Sequence, residues 1–290
     1  MIRKLNCALS ILTVALCAFA ANAQDFDFVF DPEMTQELRG VSADKAYSQA
    51  TDDLNRQIES VVKLFSSLAG GGFAQTAQIH SAGGFDVGIR GLFSVIPQEF
   101  RDVIPAGELG PFDLGVKDPL EGEETQSFPI LQGSVGLPAN FEVMGRLFTF
   151  PVADVQDGNV RLFGGALKYG LFQNDLAMPA IVLIGGYQKL IVPEKYDFGD
   201  VSTISFKGFV SKSFASFTLY GGGGYDRSSL ELRKDAFPIP LPDDLLKHDA
   251  SIFHGTAGLM WTPFPMVRLN TDYNFSEFPN FNIGLSFSMR

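Results

Sequence analysis

The chain closes on Val267-Arg268-Leu269-Asn270-Thr271-Asp272-Tyr273-Asn274-Phe275, a short link Ser276-Glu277-Phe278-Pro279, and Asn280-Phe281-Asn282-Ile283-Gly284-Leu285-Ser286-Phe287-Ser288-Met289-Arg290. Val267, Leu269, Thr271, Tyr273 and Phe275 alternate with Arg268, Asn270, Asp272 and Asn274. Phe281, Ile283, Leu285, Phe287 and Met289 alternate with Asn282, Gly284, Ser286 and Ser288. A period of two places one set on each face of a sheet, so both strands have a greasy face and a polar one. In a soluble sandwich the greasy faces meet each other. In an outer-membrane barrel they meet lipid, and the polar faces line the lumen.

The N-terminus favours the barrel. Arg3 and Lys4 precede an apolar stretch from Leu9 to Ala20 and a small-residue site at Ala21-Asn22-Ala23, the pattern of a cleaved signal peptide over residues 1–23. Its apolar run is too short to cross about 30 Å of hydrocarbon as an anchor. Cys7 and Cys17 are the two cysteines and both fall in this leader, which excludes disulfides, thiolate metal sites and a cysteine nucleophile from a processed chain. Leu16 before Cys17 fits poorly the small residue a lipoprotein cleavage site needs. Of 22 Lys and Arg two lie in the leader, leaving 20 against 33 Asp and Glu, so nucleic acid is not an expected partner. After the leader no apolar run is long enough for a spanning helix. The 28 Phe and 30 Gly instead suit a barrel, with aromatics at the lipid interfaces and glycines where strands bend.

An acidic, Phe-containing stretch follows the leader, and Ser42 is a helix-cap candidate. Tyr47, Ala50, Leu54, Ile58, Val61, Phe65 and Leu68 then fall on one helical stripe, which Gly70-Gly71-Gly72 ends. Such a stripe must be covered, either by the periplasmic mouth of a barrel or by its lumen. Packing at the mouth is the expectation, because mixed charges on the polar strand faces predict a lumen already filled by side chains.

Ten strands are predicted, near residues 84–95, 129–137, 140–150, 159–171, 179–190, 201–212, 214–227, 251–262, 266–275 and 280–289. Their connections run to 33, two, eight, seven, ten, one, 23, three and four residues. Short and long broadly alternate, as they must when every second turn faces the periplasm, and an even count starts and ends the sheet on that side. Phe85, Val87, Ile89, Phe93, Phe141, Val143, Leu147, Phe163, Leu167, Tyr169, Phe217, Leu219, Phe253, Leu259 and Trp261 are predicted to face lipid. The lumen-lining candidates are Asp86, Arg90, Glu142, Arg146, Lys168, Lys207, Arg268 and Asp272. Charges of both signs in a narrow barrel are expected to pair with each other rather than to make an ion-selective path. The strand at 179–190 is apolar on both faces and is read as uninformative.

Gly71-Gly72-Phe73-Ala74-Gln75-Thr76-Ala77-Gln78-Ile79-His80, followed by Gly83-Gly84-Phe85-Asp86-Val87-Gly88-Ile89 and Ile96-Pro97, resembles a bacterial family of exported proteins of unknown function. Gly133-Ser134-Val135-Gly136-Leu137-Pro138 and Gly164-Gly165-Ala166-Leu167-Lys168-Tyr169-Gly170-Leu171 carry the same resemblance, which covers the chain from about residue 44 onward. It implies a barrel-like outer-membrane protein and supplies no catalytic residues. A looser, architectural resemblance is to barrels that move hydrophobic compounds and hold an N-terminal segment in the lumen. Arg290 after Met289 departs from the usual aromatic ending of such barrels.

Chemistry is scarce. His80, His248 and His254 are not at helical metal-ligand spacing, so no metal site and no cofactor is expected. Gly221 to Gly224 lack the Lys-Ser/Thr of a phosphate loop and read as a close-packed strand. Asp243, Asp244, His248 and Asp249 could form the acid and His-Asp pair of a barrel-mouth hydrolase, although Pro238, Pro240 and Pro242 make a solvated loop the preferred reading. The acidic segment with Glu99, Asp102, Glu108, Asp113, Asp118, Glu121, Glu123 and Glu124 has no calcium-loop spacing and reads as a solvated outer loop.

The expected fold is all-β, a single antiparallel transmembrane β-barrel of about ten strands with a short N-terminal amphipathic helix. The expected organisation is a signal peptide at 1–23, an acidic segment and helix at 24–72, and the barrel at 73–290. The function expected first is non-enzymatic: porin-like passive passage, or binding, of a small solute, a hydrophobic one included. The alternatives are a structural or surface-interaction barrel with a closed lumen, and a barrel-mouth hydrolase. The expected partners are outer-membrane lipid, the barrel-insertion machinery and that solute.

Overall fold

The structure, a computed structural model, describes residues 59, 62–95, 125–151, 159–173, 178–191, 199–232 and 247–289. The leader, the segment at 24–58, the acidic residues from Glu99 to Glu124, and Asp243 and Asp244 lie outside the described residues. A helix at 62–70 (α1) precedes ten strands: β1 (Phe85–Val95), β2 (Thr125–Leu137), β3 (Phe141–Pro151), β4 (Asn159–Phe172), β5 (Ala180–Ile191), β6 (Gly199–Phe214), β7 (Phe217–Leu232), β8 (Lys247–Phe264), β9 (Val267–Phe275) and β10 (Asn280–Met289). Each strand pairs antiparallel with its neighbours in sequence, and β1 pairs with β10 from Phe85↔Met289 to Ser94↔Asn280, so the sheet closes into a barrel. Closure leaves no unpaired sheet edge, which a strand in hydrocarbon cannot tolerate.

The alternation predicted from sequence holds around the wall. On β10 the residues alternate strictly between buried and exposed, and every position read as lipid-facing points outward. Ile283 and Leu285 are 49% and 55% exposed, while Asn282 beside them is fully buried. Aromatics gather toward both rims. Phe141 meets Tyr169 at a tilt (4.8 Å between centroids) and Phe217 stacks on Trp261 (6.2 Å) toward the end where β1 begins. Tyr225 meets Phe253 (4.9 Å), and Tyr273 meets Phe275 (4.7 Å), toward the other end. Aliphatic side chains such as Ile89, Leu183, Leu269 and Leu285 fill the band between, the exterior of a transmembrane barrel. Among the described residues no helix is long and apolar enough to cross a membrane, so the crossing is made by strands.

The two rims differ. At the end where β1 starts and β10 finishes, the connections span residues 138–140, 173–179, 215–216 and 265–266. At the other they span 96–124, 152–158, 192–198, 233–246 and 276–279. Short turns mark the periplasmic side of such barrels and long connections the outer side. Ala139 and Asn140 reach φ of 60° and 61°, the left-handed pair of a tight primed hairpin between β2 and β3.

Leu285 lies between Phe281 and Phe287 on the lipid face. Leu285→Arg should therefore destabilise the folded barrel by about 2–4 kcal/mol if that depth is the bilayer centre. Urea titration of folding into lipid vesicles measures it; a cost near zero would show that this face does not meet hydrocarbon.

Candidate functional site

The inside of the barrel is occupied by the chain itself. Val62, Phe65, Ser66, Ser67, Ala69, Phe73, Ala74, Gln75, Thr76, Ala77, Gln78 and His80 are all buried, so residues 62–80 form a plug that runs the length of the lumen. This corrects the expectation that the helix packs on the periplasmic mouth. α1 lies toward the outer rim, where Ser67 Oγ donates to Phe278 O (2.6 Å) and Lys63 Nζ bonds Glu277 (3.2 Å) in the β9–β10 connection. The chain leaves at the periplasmic rim, where Gly83 N donates to Gly136 O (3.0 Å) beside the β2–β3 turn. The N-terminal end of α1 thus lies at the outer rim although β1 begins on the periplasmic side.

The centre of the plug is the end of α1. Gly71 N donates to Ser67 O (2.9 Å), and Gly72 takes a φ of +65° that a residue with a Cβ adopts only at a cost. This end exposes carbonyls with no helical partner. Arg146 Nη1 donates to Ala69 O (2.9 Å) and Nη2 to Gly71 O (2.8 Å). Lys207 Nζ donates to Gly70 O (2.6 Å), and Gln188 Nε2 to Ala69 O (2.6 Å). Two buried cations therefore meet the negative pole of the helix dipole. Phe73 lies between them, its ring centroid 4.4 Å from Arg146 Cζ and 5.1 Å from Lys207 Nζ.

Phe73, Ala74 and Ala77 pack into a luminal apolar patch built by Met144, Ala166, Val182, Ile184, Phe209 and Met260. The patch explains β5: its inner face is apolar because the plug covers it. A Cβ on Gly186 would lie 3.1 Å from the Phe73 ring, so glycine there makes room for the aromatic.

All eight lumen-lining candidates face inward and are buried. Two clusters hold most of them. Near the periplasmic rim, Glu142 Oε1 accepts from Lys168 (2.7 Å). Its Oε2 accepts from His80 N (3.1 Å) and lies 2.8 Å from His80 Nδ1. Arg268 Nη1 lies 3.3 Å from His80 Nε2 and 3.6 Å from Asp86 Oδ2. At mid-lumen Lys207 Nζ bonds Asp226 Oδ2 (3.1 Å) and His254 Nε2 (2.8 Å), while His254 Nδ1 lies 3.1 Å from the same Asp226 oxygen. An ammonium can only donate, so His254 Nε2 is the acceptor and Nδ1 carries the proton. Asp226 and Gln188 were not singled out from sequence, and His254 was weighed only as a metal ligand; each sits at an inward position of a strand that was correctly located. At the outer rim Lys63 is half-buried, and although this burial opposes its charge, its bonds to Glu59 and Glu277 hold the ammonium above its ordinary value.

Ser288 Oγ lies 3.0 Å from His80 Nε2, and with Glu142 the three have the spacing of nucleophile, base and carboxylate. Ser288 is only 2% exposed, the His80 backbone takes the same Glu142 oxygen, and Lys168 occupies the other. The group fastens the plug to the wall. His248 and Asp249, adjacent on β8, point to opposite faces of the sheet, and Asp249 pairs outward with Arg227 (2.8 Å). Among the described residues no group of three His, Cys, Asp or Glu could hold a metal ion.

A closed antiparallel barrel with an apolar exterior and a self-plugged lumen has the outer-membrane β-barrel fold. The chain belongs to a family of unknown function, DUF6588, which matches residues 114–289. Among solved structures it is similar to the outer-membrane protein OprG from Pseudomonas aeruginosa (10% identical, 73% of this chain and 99% of that one, TM-score 0.32). It is also similar to Ail, the attachment invasion locus protein of Yersinia pestis (11% identical, 72% and 99%, TM-score 0.30). A third is the translocator domain of the autotransporter NalP from Neisseria meningitidis (9% identical, 84% and 98%, TM-score 0.36). No curated protein matches. The barrel is read from its own strand pairing, and these similarities carry no function.

A Cβ on Gly70 would sit 1.9 Å from Asp226 Oδ2, within the cluster that caps α1. Gly70→Ala should destabilise the protein by about 1–3 kcal/mol through overpacking. The loss would show as a lower urea midpoint together with protease cleavage inside residues 62–80; an unchanged midpoint would mean the plug is not seated as described.

The direction of the plug has its own check. Glu59 is exposed at the outer end of the helix. A thiol introduced by Glu59→Cys should react with a membrane-impermeant maleimide on intact cells well above the rate of the parent chain. Labelling only after the outer membrane is breached would reverse the orientation.

Proposed function

We propose that this protein is exported by a cleaved leader at residues 1–23, inserted by the barrel-assembly machinery into the outer membrane, and held closed there by its own N-terminal segment. Its role on this reading is non-enzymatic: a structural or surface-interaction barrel rather than an open pore. The observation that carries the proposal is the set of four bonds from Arg146, Gln188 and Lys207 to the carbonyls of residues 69–71, across the middle of the lumen. A wide, porin-type path cannot coexist with that contact.

Passage of a small solute is the second reading. It is supported by the charged lining that would face the lumen if residues 62–80 moved. A hydrophobic solute is the weaker form of it, because the apolar luminal surface at Val182, Ile184 and Phe209 is covered by Phe73, Ala74 and Ala77.

Planar-bilayer recording decides between the two. The full chain should show no large, long-lived conductance, and a chain lacking residues 24–78 should conduct if its barrel still inserts. Steady porin-type conductance from the full chain would overturn the closed-lumen reading.

A further inference from the structure

The plug is held unequally by the two sides of the barrel. Toward β3–β8 its contacts are short or apolar: Lys207 to Gly70 O and Gln188 to Ala69 O at 2.6 Å, Arg146 to Gly71 O at 2.8 Å, and Phe73 in its apolar seat. Toward β1, β2, β9 and β10 it is tied at the two rims, by Ser67 Oγ to Phe278 O at 2.6 Å and by His80 Nε2 to Ser288 Oγ at 3.0 Å, and only loosely between them. There Gln75 Nε2 lies 3.5 Å from Asp86 Oδ1 and Ser286 Oγ lies 3.4 Å from Gln75 Oε1.

The same side holds most of the buried polar atoms that have no partner. All three guanidinium nitrogens of Arg90 are unpaired although the residue is 1% exposed, and Ser94 Oγ, Gln132 Oε1, Asn282 Oδ1 and the plug's Ser66 Oγ are unpaired as well. A guanidinium buried without any hydrogen bond is among the costliest arrangements a protein can hold, and a native structure satisfies such groups with water or a polar ligand. These atoms are not scattered. Ser94 and Ser66 lie toward the outer rim, Arg90 and Asn282 at mid-height, and Gln132 below them, with Ser286 and Asp86 continuing to the periplasmic rim. Leu92 and Ile130 interrupt the row on β1 and β2, but Asn280 and Asn282 carry it past them on β10.

We infer that a hydrophilic seam runs between the plug and the β1–β2–β9–β10 wall, taking up water and small hydrogen-bonding solutes while the plug stays seated on β3–β8. This goes beyond the closed-lumen reading but rests on the plug being in place. Lined by Arg90, Ser94, Gln132 and Asn282, it suits hydrogen-bonding solutes and has nothing to offer an apolar one. The amphipathic plug fits it: Phe73, Ala74 and Ala77 turn to the apolar side, Gln75 to the seam.

Thiol accessibility in the chain without its leader (residues 24–290), which has no cysteine of its own, folded in vesicles, tests it. Single thiols come from Ser94→Cys, Asn282→Cys and Ser286→Cys on the seam and from Ala166→Cys and Val182→Cys beneath the plug; the serine variants change one atom, and heat-modifiability confirms that each barrel has folded. With methyl methanethiosulfonate the seam thiols should react about tenfold or more faster than the covered ones, since only the latter need the plug to open. A bulky polyethylene-glycol maleimide should reach neither set. Equal, slow reaction of both sets would overturn the seam and leave the closed lumen standing. Equal, fast reaction, with the bulky reagent entering too, would overturn both.

Discussion

The capping of α1 from the wall is the contact on which the interior depends. A ten-strand barrel encloses a volume that must be filled, and its inward side chains here include five buried cations, Arg90, Arg146, Lys168, Lys207 and Arg268, against four buried carboxylates, Asp86, Glu142, Asp226 and Asp272. Charges removed from water need partners, and side chains alone leave the cations in excess. The carbonyls of residues 69–71 supply the remainder. A helix end carries about half an elementary charge of negative sign, and Arg146 and Lys207 both reach it.

The same contact explains why the plug is a helix followed by an irregular strand of chain. The helical turn concentrates the unpaired carbonyls at one height in the lumen, and Gly72, in the left-handed region, turns the chain so that Phe73 drops between the two cations it has just helped to neutralise. Below Phe73 the chain presents Ala74, Ala77 and the half-buried Ile79 to the apolar side, with polar residues between them. His80 ends the segment at the Glu142 cluster, so the plug is fixed at mid-lumen by its carbonyls and at the periplasmic rim by a side chain.

The wall was legible in the sequence because its signal is local. Strict alternation, as in Phe281 to Met289, assigns each residue to a face with no knowledge of its neighbours, and all eight luminal charges followed from it. The strand count and the contrast between short and long connections followed for the same reason. The plug was not legible, because an amphipathic stripe states that a surface must be covered and not which one. One signal was present and passed over: an inner face made of Val182 and Ile184, with Met144, Ala166, Phe209 and Met260 on inward positions of nearby strands, is too greasy for a lumen filled only by salt bridges. Apolar residues on both faces of β5 mean lipid on one side and a covering segment on the other. The pairing of Asp226 with Lys207 and His254 spans three strands, and no sequence spacing encodes it.

Charge balance also says what kind of opening this barrel permits. If the plug left entirely, its carbonyls would go with it, and the described lumen would keep five cations to four carboxylates, with the apolar patch of β3–β8 bared to water. Both consequences oppose release: one by uncompensated charge, the other by exposed hydrocarbon. Neither opposes a small parting from β1, β2, β9 and β10 between the rims, where the contacts of Gln75 are long and Arg90 has no hydrogen bond. A lumen built this way resists opening most on its apolar side, where the seat of Phe73 holds the plug in register.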